Sequence, residues 1–158
     1  MAVQSNRGYG FWWVRNEDGS PNCPTGELEL DSNVGCYAGD ALMLSSDGYG
    51  DLWTSGNSIY GFAMETITAQ ATAHQDVLVA LATPQAIFTG YTDGAGAATI
   101  VGDTLAINQT SGSMNIDQDV STNALLILKL DESVSSTYGT NAQFLVKVID
   151  SQLYQGRA

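Results

Sequence analysis

Short apolar runs recur along the chain, each bounded by glycine, aspartate, asparagine or serine. They cover Phe11 to Val14, Ala41 to Leu44, Ile59 to Met64, Val77 to Ala82, Thr104 to Ile107, Ala124 to Leu130 and Phe144 to Ile149. Runs of this length, closed by turn residues, predict strands. Alternation is plainest at the last of them, where Phe144, Val146 and Val148 share one face and Lys147 points to the other. The turns carry their own chemistry: Asp18-Gly19, Asp47-Gly48 and Asp93-Gly94 place Asp-Gly where a positive φ is easiest, and Gly112 and Gly139 mark further turns. Thr66 to Gln75 is the best helix candidate, but its threonines and its lack of an apolar face predict a loop. The pattern therefore predicts an all-β fold, a small β-barrel or sandwich.

The order of these pieces repeats. Gly39-Asp40 leads into Ala41 to Leu44 and then Ser46-Asp47-Gly48, as Gly102-Asp103 leads into Thr104 to Ile107 and then Thr110-Ser111-Gly112. Each is followed by an apolar strand (Ile59 to Met64; Ala124 to Leu130), a polar loop and another strand (Val77 to Ala82; Phe144 to Ile149). Each copy then closes on an apolar pair, a polar residue and glycine, Ile87 to Gly90 and Leu153 to Gly156. A β protein can reuse turn grammar without duplication, but matched order over this length predicts two related β units, 36–92 and 93–158, forming one compact domain. The strands entered by Asp40 and Asp103 are then expected at equivalent places in the fold.

Residues 1–35 fall outside the repeat and form an N-terminal extension of different character. Tyr9, Phe11, Trp12 and Trp13 are flanked by Arg7 and Arg15, ahead of the turn-rich stretch Asn16 to Pro24. Adjacent Trp12 and Trp13 face opposite ways in an extended chain, so either one indole is exposed or each is buried in a different layer. Aromatic anchors beside arginine suit an interface core. Arg7, Tyr9, Phe11, Trp12, Trp13 and Arg15 are therefore the candidate contact residues. On this reading residues 36–158 fold without the segment, and deleting residues 2–15 leaves a folded protein that no longer docks.

Charge narrows the partners. Seventeen acids against five lysines and arginines give a net charge of −12, which argues against nucleic acid and against an anionic membrane surface and leaves a basic protein surface as the natural counterpart. No run of about 18 apolar residues is present to span a membrane, and Met1 to Arg7 lacks the basic start and apolar stretch of a secretory signal. Cys23 and Cys36 are read as reduced thiols of a protein made in a cytoplasm, with a single bridge as the alternative.

Candidate chemistry is thin. His74 is the only histidine and lies in the Ala/Thr/Gln-rich loop, so a catalytic triad or a multi-histidine metal site has no footing there; it reads as a solvent-exposed residue whose replacement is silent. The pairs Glu27 with Glu29 and Asp117 with Asp119 each put two carboxylates on one strand face, as a glycosidase needs, but in so acidic a chain they read as solvated surface. Asp47 to Asp51 lacks the ligand order of a calcium loop. The expectation is a protein that is not an enzyme, with no metal and no cofactor.

Residues Val34 to Leu44, Ile59 to Glu65 and Asp76 to Gly90 resemble, in the order of their elements, the small β proteins of tailed-bacteriophage heads: a Gly-Asp turn with a strand, an apolar Ile-x-Gly-x-Ala strand, and a valine-rich strand closing near glycine. The resemblance covers about a third of the chain and repeats loosely over 102–156. It implies a capsid decoration, or cement, protein, a structural virion protein bound to the major capsid protein on the outer capsid surface, made in the host cytoplasm and generally homotrimeric. It carries over no functional residues. The competing expectation is a carbohydrate-binding or adhesion module that uses Trp12, Trp13, Trp53 and tyrosines as stacking platforms.

Overall fold

The computed structural model describes residues 9–121, 124–133 and 137–153. Its strands are β1 (Trp12–Asn16), β2 (Thr25–Leu30), β3 (Ala41–Leu44), β4 (Gly50–Leu52), β5 (Gly61–Ala63), β6 (Gln75–Leu81) and β7 (Ala86–Tyr91). They continue with β8 (Ala95–Gly96), β9 (Thr104–Asn108), β10 (Asn115–Asp117), β11 (Leu125–Leu130), β12 (Gly139–Thr140) and β13 (Gln143–Val148). The all-β expectation holds, and Thr66 to Gln75 carries no helix.

Five strands close a barrel in the order β2-β4-β3-β5-β6. Six others form a sheet, β1-β7-β13-β11-β9-β10, while β8 and β12 pair as a two-stranded ribbon. A parallel bridge between Thr92 and Ile116 brings the β10 end of the six-stranded sheet back to β7. Leaving out β1, this second ring reads β7-β10-β9-β11-β13, the same circuit as the barrel with the same strand directions. Both rings close through a parallel contact, Leu30 with Gly50 and Thr92 with Ile116. The equivalence reaches single hydrogen bonds. Gly39 N donates to Ala63 O and Ala63 N to Asp40 O, at 2.7 and 2.8 Å; Gly102 N donates to Ile127 O and Ile127 N to Asp103 O, at 2.8 and 3.0 Å. Gly39 (φ 95°) and Gly102 (φ 90°) each take the turn position that only glycine adopts without strain. The strands entered by Asp40 and Asp103 thus occupy equivalent places, as the repeat predicted.

The bounds of the units differ from those read in the sequence. The first ring begins at Thr25, inside the stretch set apart as N-terminal extension, because Leu28 and Leu30 point into the barrel while Glu27 and Glu29 point out. Ile87 to Gly90 belongs to β7, the first strand of the second ring, instead of closing the first copy. Its supposed counterpart, Leu153 to Gly156, lies outside the described residues beyond Leu153.

Leu28, Leu30, Leu42, Ala63, Val77 and Val79 fill the barrel. A larger core joins the two rings, where Ala41, Phe62 and Ala80 of the first meet Phe88, Phe144 and Val146 of the second. β1 is hydrogen-bonded to β7, with Trp12 opposite Thr89, Arg15 opposite Ile87 and a bulge at Val14. It sends Phe11 into this shared core. The Phe11 ring lies 5.0 Å from Phe62, which in turn meets Phe88 edge-on at 4.7 Å. Gly90 makes the room, since a Cβ there would fall 2.5 Å from the Phe11 ring. The N-terminal strand is therefore part of the folded body.

Candidate functional site

The six residues singled out in the N-terminal segment part company in the structure. Phe11 is 1% exposed and belongs to the core, so the expectation that it is a contact residue is withdrawn. Its burial between Gly90 and Phe62 leaves no face for a partner. Trp12 and Trp13 are both half-buried, which is nearer the two-layer reading than the exposed-indole one. The Trp12 ring edge lies against Gly39, whereas Trp13 packs on the shared core and donates from Nε1 to Asn16 Oδ1 at 3.2 Å. Arg15 is exposed beside the bulge, and Tyr9 is 49% exposed. Arg7 lies outside the described residues.

A residue that the sequence reading passed over joins Tyr9. Gly10 and Gly39 touch backbone to backbone, held by Phe11 N donating to Gly39 O at 2.9 Å and Gly10 N donating to Met114 O at 2.8 Å. Tyr9 precedes this junction on one chain segment and Tyr37, 56% exposed, precedes it on the other. The Tyr37 ring rests on Gly112, where a Cβ would approach it to 3.0 Å. Beside it is a shallow pocket of about 390 Å³ lined by Gly35 to Tyr37, Thr66 to Ala69, and Ser111. Beneath the turn, Asp40 is buried and its carboxylate takes three donors. They are Tyr37 N (2.9 Å), Ser111 Oγ (2.5 Å) and Gly112 N (2.9 Å). The last two belong to the β9–β10 loop, so Asp40 clasps one ring to the other and fixes the tyrosine above it. The only available sequence signal for Tyr37 was its place before a Gly-Asp turn, where an aromatic has little to pack under.

The remaining candidates resolve as follows. Cys23 and Cys36 are both free; burial pushes the Cys36 thiol up to about 11, and burial raises Cys23 as well. Trp53, at 2% exposed, is core and offers no stacking platform. Asp93 joins Asp117 and Asp119, the oxygens of the three lying within 4.8 Å of one another. Gln118 donates to Asp93 from N and Nε2, and Asp119 N donates to Asp117, which makes this an acidic turn held by its own hydrogen bonds.

His74 is more engaged than a free loop residue. Its ring stacks on Tyr49 with centroids 4.0 Å apart, and Nδ1 lies 3.1 Å from Leu30 O and 3.8 Å from Asp31 Oδ1. The tautomer protonated on Nδ1 pins the Thr66 to Gln75 loop to the barrel rim. His74→Ala should therefore cost about 1 kcal/mol, from one stacked pair and one hydrogen bond, lowering Tm by roughly 2–4 °C. An unchanged melting curve would mean that the stack contributes nothing.

With this geometry in hand we compared the chain with protein-family models, characterised proteins and solved structures, and none of the three gave a match.

Proposed function

We propose that the chain is a structural virion protein that binds the outside of an assembled tailed-phage capsid and stabilises it, acting by contact and without catalysis. The observation that supports this most is the pair Tyr9 and Tyr37. Two large aromatics stand in solvent at one glycine junction of the double ring, and tyrosine is enriched among residues that dominate protein interfaces. The strongly acidic body favours a basic protein surface as the counterpart. Association as a homotrimer would multiply weak single contacts on a repeating shell. The carbohydrate-binding alternative loses Trp53 to the core and keeps Trp12 and Trp13 only half-exposed.

The test is the double variant Tyr9→Ala/Tyr37→Ala against purified capsids of the phage that encodes the chain. Each truncation should cost about 1–2 kcal/mol of binding, roughly a 30-fold to several-hundredfold loss for the pair, with Tm unchanged. Full affinity in the variant would move the contact elsewhere on the rings. Failure of the unaltered protein to bind capsids, together with selective binding on a glycan array, would replace the capsid reading by the carbohydrate one.

A further inference from the structure

The duplication allows one ring to be compared with the other, position by position. Backbone groups along β2 point alternately to its two sides. Leu81 N donates to Pro24 O on the β6 side, while Asp31 N donates to Gly50 O on the β4 side at 3.0 Å. Thr25, Glu27 and Glu29 share the direction of Asp31, away from β6. β7 repeats this arrangement, since Thr92 N donates to Ala142 O beyond the β13 end and Asp93 N donates to Ile116 O at 2.9 Å. Ile87 and Thr89 therefore face away from β13. In the second ring that edge is filled, because β1 lies along it opposite Ile87 and Thr89.

The same edge of the first ring is open. Thr25 and Glu27 stand where Ile87 and Thr89 stand, yet β4 meets β2 only at Leu30 with Gly50. Among the described residues no strand lies along the rest. The open stretch is acidic: Glu27 and Glu29 are exposed on β2, and Asp76 on β6 sits directly opposite Glu29. Like charges facing one another across a ladder are unfavourable, and cations brought alongside relieve them. Pairing this edge with the same edge of a second copy would set glutamates against glutamates, so the charge pattern disfavours self-pairing.

We propose that the open edge of β2 takes an extended segment of another protein by strand addition, with lysine or arginine at alternate positions beside Glu27 and Glu29. The main chain supplies the hydrogen bonds that β1 supplies to β7, and the basic side chains supply the selectivity. The inference stands apart from the capsid reading, since it concerns a different surface from the Tyr9–Tyr37 junction.

The experiment measures amide exchange on the full chain with a seven-residue peptide alternating lysine and valine, and with its glutamate-for-lysine counterpart. The lysine peptide should slow exchange of the Thr25, Glu27 and Glu29 amides by about tenfold or more at saturation. The inward Gly26 and Leu28 amides should not change, and the glutamate peptide should have no effect. Glu27→Pro removes the outward N–H without touching the β6 ladder, as edge prolines do, and should abolish the protection. If that variant fails to fold, Glu27→Lys/Glu29→Lys carries the test and should reverse the preference between peptides. Protection by neither peptide, or by both equally, overturns the proposal. So does concentration-dependent protection without peptide accompanied by a dimer in sedimentation, which would assign the edge to a second copy.

Discussion

Replacing Phe11 with alanine should destabilise the fold by about 3–5 kcal/mol, the usual cost of truncating a fully buried phenylalanine. The ring is 1% exposed, packs at a tilt against Phe62 and fills the space left by Gly90, so its loss opens a cavity at the meeting of β1 and both rings. The neighbouring backbone cannot readily close it, because Gly10 and Gly39 are already in contact. Tyr9→Ala, two residues away and half-exposed, should stay within about 0.5 kcal/mol. Chemical denaturation of the two variants checks the contrast. It also bears on the deletion of residues 2–15, which by sequence was expected to leave a folded protein. The deletion removes Phe11 together with most of β1, including its pairing with Thr89 and Ile87, and is now expected to leave a protein that is mostly unfolded or aggregated. A Phe11→Ala variant as stable as the parent would restore the N-terminal segment to a detachable role.

Asp40→Ala should cost on the order of 2–4 kcal/mol, whereas the same change at Asp103 should cost less than about 0.5. The two residues open equivalent strands after equivalent glycines, and their backbones make the same bonds. Their side chains do not. The Asp40 carboxylate is buried and gathers Tyr37 N, Ser111 Oγ and Gly112 N, and removing it strands those donors at the junction of the rings. Asp103 is exposed. Because the lost bonds join one ring to the other, Asp40→Ala should also loosen the Ser111 and Gly112 amides in hydrogen exchange more than those of the barrel interior. Equal costs at the two aspartates would mean that Asp40 serves only its own turn.

These pairs mark the line between what was legible and what was not. The Gly-Asp turns, the strands they open and the order of the two copies were readable in the sequence, because a positive φ at Gly39 or Gly102 and the start of a strand are set by residues close together in the chain. β2 went unread although Glu27 and Glu29 had been placed on one strand face, since two leucines between acids make a weak apolar run. β7 was mistaken for a closing tail because it is buried on both faces and shows no alternation. The docking candidates were read least well. Tyr9 and Phe11 belong to one aromatic cluster in sequence, yet one is in solvent and the other in the core, and Tyr37 drew no notice. Sequence by itself determined seven of the strands (β1, β3, β5, β6, β9, β11 and β13), the Gly-Asp turns and the order of the duplication, all of which follow from local backbone preference and short-range patterning. Which aromatic is covered, which aspartate clasps the rings, and which ring keeps an open edge were decided only by how the two copies and β1 pack, since burial depends on neighbours far away in the chain.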